Sequence, residues 1–243
     1  MFKESTIKAM YAKFNEEVNN ALNTVTEDTP IHVSSGNRKT GPVASFSVMP
    51  LFTCANCGTC SKYCYAARMA KRLENVRNAY AINTAMVIKY PESVKRQLLD
   101  YIRRNKVVYF RWNVSGDFDL LHYFDIACYV VLHSPGTQFL SFTKCYMLFN
   151  NQCQHIHSMN EYSCFENVFY NWKVVFSMNT ADTLDADIAR WNHFNFPVTV
   201  VINDSSEMRP GWLACAGNCY ECACFGFGCW HLMNGQILSF ILH

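Results

Sequence analysis

The sequence feature that most restricts the fold is a run of closely spaced cysteines. Four cysteines within eleven residues follow the spacing C-x2-C-x2-C-x3-C: Cys54, Cys57, Cys60 and Cys64. A loop this short can turn all four sulfur atoms toward one point. The same spacing occurs in bacterial ferredoxins, whose cysteine thiolates hold iron–sulfur clusters. The segment therefore predicts a metal centre.

A second cysteine-rich window lies near the other end of the chain. It contains Cys215, Cys219, Cys222, Cys224 and Cys229, so the two windows hold nine of the thirteen cysteines. The spacing Cys215-x3-Cys219-x2-Cys222 resembles the three-thiol loop of radical S-adenosylmethionine enzymes. We expect a second cluster held mainly by Cys215, Cys219, Cys222 and Cys229, with Cys224 as a competing ligand. Sharing of cysteines between the windows stays open, as in two-cluster ferredoxins.

Disulfide bonds and zinc are the alternatives to iron. Disulfide frameworks suit small secreted chains, whereas this chain has 243 residues, 50% of them hydrophobic. Its first residues carry charges where a signal peptide has an apolar run, so we expect a cytoplasmic protein with reduced thiols. Zinc also binds closely spaced cysteine pairs and stays open. The fourth thiol at ferredoxin spacing favours [4Fe–4S] clusters.

Composition restricts the partners of the chain. The net charge of +2 is spread along the sequence, so nothing supports a nucleic-acid groove. No apolar run is long enough to span a membrane. The expected partner is a redox protein or a small-molecule substrate. We expect a single domain with an N-terminal helix and loop (1–42), an α/β core (43–204) and a cysteine-rich tail (205–243).

Apolar runs alternate with helical patterns through the core. The runs predict five strands, at 44–49, 107–113, 138–142, 173–177 and 197–202. Strands separated by helices form parallel sheets, so we predict the α/β class, as a partial (β/α) barrel or an open parallel sheet. The tail is expected to fold back on this sheet without adding a further strand–helix unit after Asp204.

Polar residues follow each predicted strand. Because the carboxyl ends of parallel strands meet at one edge, these residues are expected to converge beside the first cysteine window. The predicted catalytic residues are Arg111, Asp117 and Lys144, and the predicted cofactor-binding residues are Ser115, Gly116, Asn179 and Asn203. Helix capping is an equally open role for Asp117. Exposure on the surface is the common alternative for a lysine such as Lys144.

Several short motifs resemble the phage gene product 88 family. They are Gly36-Asn-x-Lys39, the run Ser47 to Cys54, Cys60-x3-Cys64-Tyr-Ala-Ala-Arg68, Arg111-x4-Gly116-Asp117-Phe118, Phe142-Thr143-Lys144 and Cys229-Trp230. The resemblance implies a phage origin and a metal-binding α/β domain, and it does not imply a reaction.

The predicted architecture also resembles the radical S-adenosylmethionine core. Ser115-Gly116-Asp117 takes the position of the Gly-Gly-Glu-like turn in that core, but the first cysteine loop lacks the C-x3-C-x2-C spacing. The sequence thus predicts a redox enzyme with two clusters and S-adenosylmethionine as a candidate cofactor. A non-catalytic ferredoxin-like electron carrier and a zinc-stabilised interaction protein are the alternatives.

Overall fold

An eight-stranded sheet runs through the residues that the computed structural model describes, 1–37, 40–54, 57–160, 164–178 and 183–241. Its strands are β1 (Val33–Ser34), β2 (Ala44–Phe46), β3 (Tyr109–Trp112), β4 (Gln138–Thr143), β5 (Trp172–Ser177), β6 (Val198–Ile202), β7 (Leu213–Ala214) and β8 (Ile237–Ile241). The strand order is β1-β2-β3-β4-β5-β6-β8-β7, and only β1 pairs in the antiparallel sense. The sheet stays open, which confirms the predicted α/β class as an open parallel sheet and not a closed barrel.

The described residues also form nine helices. They are α1 (Glu4–Thr24), α2 (Tyr65–Arg72), α3 (Glu74–Lys89), α4 (Pro91–Arg104), α5 (Tyr123–Leu132), α6 (Tyr146–Met159), α7 (Phe165–Val168), α8 (Leu184–Trp191) and α9 (Cys219–Cys224). Local sequence explains α4 well: Pro91 opens it, Glu92 lies in its first turn and Arg103 in its last, which suits the helix dipole. Among the described helices, none is long and apolar enough to cross a membrane.

The two faces of the sheet are covered by different parts of the chain. Alternate strand residues such as Phe110 and Trp112 pack in one large cluster with the buried residues of helices α1 to α8. Leu140 and Val175 point the other way, into a smaller cluster with Cys222 and Trp230 of the tail. The cysteine-rich tail is therefore the cover of the second face.

The tail folds back on the sheet as predicted, but the expectation that it adds no further strand–helix unit is wrong. Strand β8 pairs in parallel with β6 from Val198↔Ile237 to Ile202↔Ile241, and β7 pairs with β8. The intervening α9 has only six residues, too few to show a helical period in the sequence. The antiparallel strand β1 has two residues and was not predicted for the same reason.

The turn after β3 holds the start of the first cysteine window. Gly116 has a φ of +78°, and a Cβ atom there would lie 2.5 Å from Thr53 Oγ1 and closer still to Val48 Cγ2. Ser115 Oγ donates to the Val48 carbonyl at 3.0 Å, and the Asp117 amide donates to Thr53 Oγ1 at 3.1 Å. Because Thr53 directly precedes Cys54, this contact fixes where the cysteine loop begins.

Replacing Gly116 with alanine tests this contact. We expect Gly116→Ala to lower the free energy of unfolding by about 2–4 kcal/mol, because the new methyl group clashes and the positive φ disfavours any side chain. The measurement is urea unfolding of the metal-free protein. Gly136→Ala is the matched control, since an added Cβ there meets no atom within 4 Å. Equal stability of the two variants would contradict the close packing.

Candidate functional site

A cavity of about 370 Å³ lies at the carboxyl edge of the sheet. One wall is the first cysteine window, and its four thiols form what we call the N-terminal thiol set: Cys54, Cys57, Cys60 and Cys64. The opposite wall consists of the ends of strands and their turns, including Ser115, Gly116, Asp117, Lys144 and Ser177. The structure thus places eight of the predicted site residues around one space.

The thiols of this set differ in acidity. The hydrogen bond from Cys64 and the nearby Lys144 ammonium lower the pKa of Cys60 to about 7, although burial opposes the shift. The same hydrogen bond and burial raise the pKa of Cys64. Burial and the Asp117 carboxylate raise the pKa of Cys54. Of Cys54, Cys60 and Cys64, Cys60 is therefore the thiol that ionises at the lowest pH in the metal-free protein.

Helix α1 closes the outer side of the set. The Tyr11 hydroxyl lies 3.6 Å from Cys57 Sγ, and burial followed by the contact with Cys57 raises the pKa of Tyr11. The sequence analysis missed Tyr11, because the spacing of α1 is that of an ordinary amphipathic packing helix. Only the tertiary fold brings this hydroxyl to the thiols.

The Asp117 carboxylate is occupied by hydrogen bonds from the protein. It accepts from the Phe118 amide at 2.8 Å, from Thr143 Oγ1 at 2.6 Å and from the Lys144 amide at 2.7 Å. Burial raises the pKa of Asp117, and these bonds oppose the shift. The carboxylate thus ties the turn after β3 to the end of β4. This geometry favours a positioning role, and the predicted catalytic role stays a prediction.

Lys144 places a cation in the cavity opposite the thiols. Its Nζ donates to the Ser177 carbonyl at 2.7 Å and lies 3.4 Å from Ser177 Oγ. Burial lowers the pKa of Lys144, whereas Cys60 and Asp117 act against this shift. A buried amine beside a thiolate stabilises the negative charge of that thiolate.

The remaining predicted residues lie elsewhere. Asn203 is exposed, bonds to Glu207 at 2.7 Å and does not line the cavity. Asn179 lies outside the described residues. Arg111 also does not line this cavity, because its side chain reaches the second cysteine window.

Arg111 contacts one member of the group that we call the C-terminal thiol set, which consists of Cys215, Cys219, Cys222 and Cys229. Its Nη1 donates to Cys219 Sγ at 3.2 Å, and its guanidinium lies 4.7 Å from the centre of the Phe142 ring. Burial raises the pKa of Cys229. The charge of Arg111 opposes this rise, and the other three thiols of the set add to it. In contrast, Cys224 is exposed and contacts Tyr220. The structure thus separates Cys224 from this set.

The chemistry of both sets fits a metal, but their present arrangement is not that of formed ligands. All thirteen cysteines are free thiols, which leaves every sulfur available. In the described ranges, however, no three Cys, His, Asp or Glu side chains are grouped so that they could hold a metal ion. Binding would therefore require the four thiols of each set to turn toward one point.

An open parallel sheet with a thiol-lined cavity at its carboxyl edge defines an α/β protein with a cysteine-based site. The family model described as Gene product 88 matches residues 13–227, and the chain belongs to this phage protein family. The predicted family is thereby confirmed. Neither the curated proteins nor the solved structures gave a match. The matched span contains the N-terminal thiol set and ends before Cys229.

The acidity of Cys60 gives a testable pH dependence. In metal-free, reduced protein we expect alkylation of Cys60 by iodoacetamide to reach half its maximal rate near pH 7, as its pKa of about 7 requires. Cys54 and Cys64 should react only at higher pH. Peptide-resolved mass spectrometry measures each rate. Lys144→Met should move the Cys60 midpoint upward, whereas the control Lys173→Met should not. An alkylation midpoint of Cys60 that stays unchanged in Lys144→Met would contradict the effect of Lys144 on the pKa of Cys60.

Removing the Asp117 carboxylate tests its positioning role. Asp117→Ala leaves three donors without an acceptor inside the protein, so we expect the free energy of unfolding to fall by about 3 kcal/mol. Asp119→Ala is the matched control at an exposed neighbouring carboxylate and should change stability by less than about 0.5 kcal/mol. Chemical denaturation of both variants gives the comparison. A loss as small as that of the control would show that the three bonds do not hold the turn.

Proposed function

We propose that this protein is an iron–sulfur redox protein in which each thiol set holds one [4Fe–4S] cluster. The observation that carries the proposal is that all four thiols of the N-terminal set line one cavity together with the Lys144 ammonium. A bound cluster would supply one-electron transfer. S-adenosylmethionine is a candidate second cofactor, as the resemblance to radical S-adenosylmethionine enzymes implies.

In the N-terminal set the protein contributes charge and position. Lys144 offsets the negative charge of thiolates in a buried setting, where an uncompensated charge is costly. The Asp117 carboxylate accepts hydrogen bonds from the Lys144 amide and the Thr143 hydroxyl. These bonds fix the backbone that carries the Lys144 side chain. Tyr11 covers Cys57 from the opposite side.

In the C-terminal set the protein contributes a counter-charge and shielding. Arg111 donates to Cys219, and a guanidinium keeps its charge at every physiological pH. Trp230 is buried and its indole N–H donates to the Cys219 carbonyl at 3.0 Å. Cys222 and Cys229 are also buried. Such shielding controls the access of solvent to a metal and thereby the reduction potential of that metal.

The cavity favours an enzyme over a carrier. An electron carrier needs no space beside its thiols, whereas here a cavity of about 370 Å³ adjoins them, within the range of small-molecule sites.

A second candidate, the non-catalytic ferredoxin-like carrier, is favoured by a different observation. Arg111 lies away from the cavity and Asp117 is occupied by three donors, so the predicted catalytic residues do not all face one substrate.

Anaerobic metal analysis tests the proposal. We expect purified protein to be brown and to contain iron and acid-labile sulfide in equal amounts. The double variant Cys57→Ser and Cys60→Ser should lose about half of both, because one of two clusters is removed. Cys164→Ser, at an exposed thiol outside both sets, is the control and should lose none. Cys224→Ser should also retain its iron.

The outcomes separate the candidate functions. Zinc in place of iron would overturn the proposal in favour of a zinc-stabilised interaction protein. Iron with reductive cleavage of S-adenosylmethionine would support the enzyme, and iron without it would support the carrier.

A further inference from the structure

A second and larger cavity, of about 1020 Å³, adjoins the thiol-lined one. Tyr65 and Val114 line both cavities, so the two spaces meet at these residues. Tyr65 directly follows Cys64 of the N-terminal set. Gly217, which lies between Cys215 and Cys219, also lines the larger cavity. A molecule bound there would therefore touch both segments that carry the thiols.

The described walls of the larger cavity carry no fixed charge. They contain neutral polar side chains such as Ser45 and Asn83 and no carboxylate, ammonium or guanidinium. A charged group that enters such a space loses hydration without gaining a counter-charge. The described walls therefore suit an uncharged part of a ligand.

Two of the lining side chains are available for hydrogen bonds. The Ser45 hydroxyl and the His32 imidazole make none within the described part of the chain, and both can donate and accept. Asn83 is not available in this way. Its amide holds the His32 backbone at 2.7 and 2.8 Å and the Ser47 carbonyl at 2.9 Å, so it shapes the wall.

An aromatic face stands at the junction of the cavities. The side chain of Tyr65 is 55% exposed, so a planar ring can stack on its exposed part. Bases stack on aromatic side chains in this way in nucleic-acid-binding proteins. A ligand that fits these walls has a flat ring that stacks on Tyr65 and hydroxyl groups that bond to Ser45 and His32. A nucleoside has both.

We propose that the larger cavity binds the uncharged nucleoside part of a small-molecule substrate. Its base stacks on Tyr65, its hydroxyl groups bond to Ser45 and His32, and its remaining end passes between Tyr65 and Val114 into the thiol-lined cavity. The assignment of that end to a redox site rests on the proposed function. The binding itself does not require a metal.

Calorimetric titration of the full chain with adenosine, guanosine, cytidine and uridine tests this inference. At least one nucleoside should bind, and Ala79→Phe, which fills the cavity from α3, should weaken its affinity about tenfold or more. Asn78→Phe is the matched control, because Asn78 is the exposed neighbour that does not line the cavity. Tyr65→Ala removes the half-exposed ring and should also weaken binding. Iron content should be unchanged in all three variants.

The inference is overturned if none of the four nucleosides binds, if Ala79→Phe and Asn78→Phe bind equally well, or if a short uncharged peptide binds more tightly than every nucleoside. Failure of the proposed function looks different. Iron-free protein that still binds a nucleoside through Tyr65 and Ala79 would keep this inference and reject the clusters. Protein that contains iron but binds no nucleoside would keep the clusters and reject this inference.

Discussion

The fold depends on one constraint: the sheet needs an apolar cover on both faces, and helices α1 to α8 supply only one of them. Leu140 and Val175 on the other face are fully buried only because the tail lies over them. Each such aliphatic side chain stabilises the fold by about 1.5–3 kcal/mol when it leaves water. The tail that provides this cover carries the C-terminal thiol set, whereas Cys57 and Cys64 of the N-terminal set pack against the cluster on the helix side.

The site follows from the same arrangement. Parallel strands end at a common edge, and the turn that contains Gly116 packs against Thr53 there, which places the N-terminal thiol set beside the ends of β4 and β5. Asp117 then connects this turn to Lys144 through hydrogen bonds. The cation opposite the thiols is thus positioned by the bond from the Lys144 amide to Asp117 and by the bond from its own Nζ to the Ser177 carbonyl.

The local patterns of the sequence predict most of the central strands and the position of the first cysteine loop. They miss the contacts between residues that are far apart in the sequence. Strands β2 to β6 and the position of the cysteine loop after β2 follow from apolar runs and turn residues. The contacts of Tyr11 with Cys57 and of Arg111 with Cys219 join residues 46 and 108 positions apart, which no local period encodes. Asn203 shows a local contact that the strand-end pattern does not reveal: it follows a strand as a site residue would, and here it bonds to Glu207 four positions on. The family was predicted from short motifs between Gly36 and Trp230, and the family model matches residues 13–227.

The central claim is that the four thiols of the N-terminal set bind one iron centre at the carboxyl edge of the sheet. Anomalous diffraction at the iron absorption edge, from crystals grown without oxygen, tests it most directly. The account predicts an iron peak within bonding distance of Cys57 Sγ and Cys60 Sγ, on the side that faces Lys144. A peak only at the zinc edge, or sulfur atoms bridged to one another with no metal between them, would contradict it.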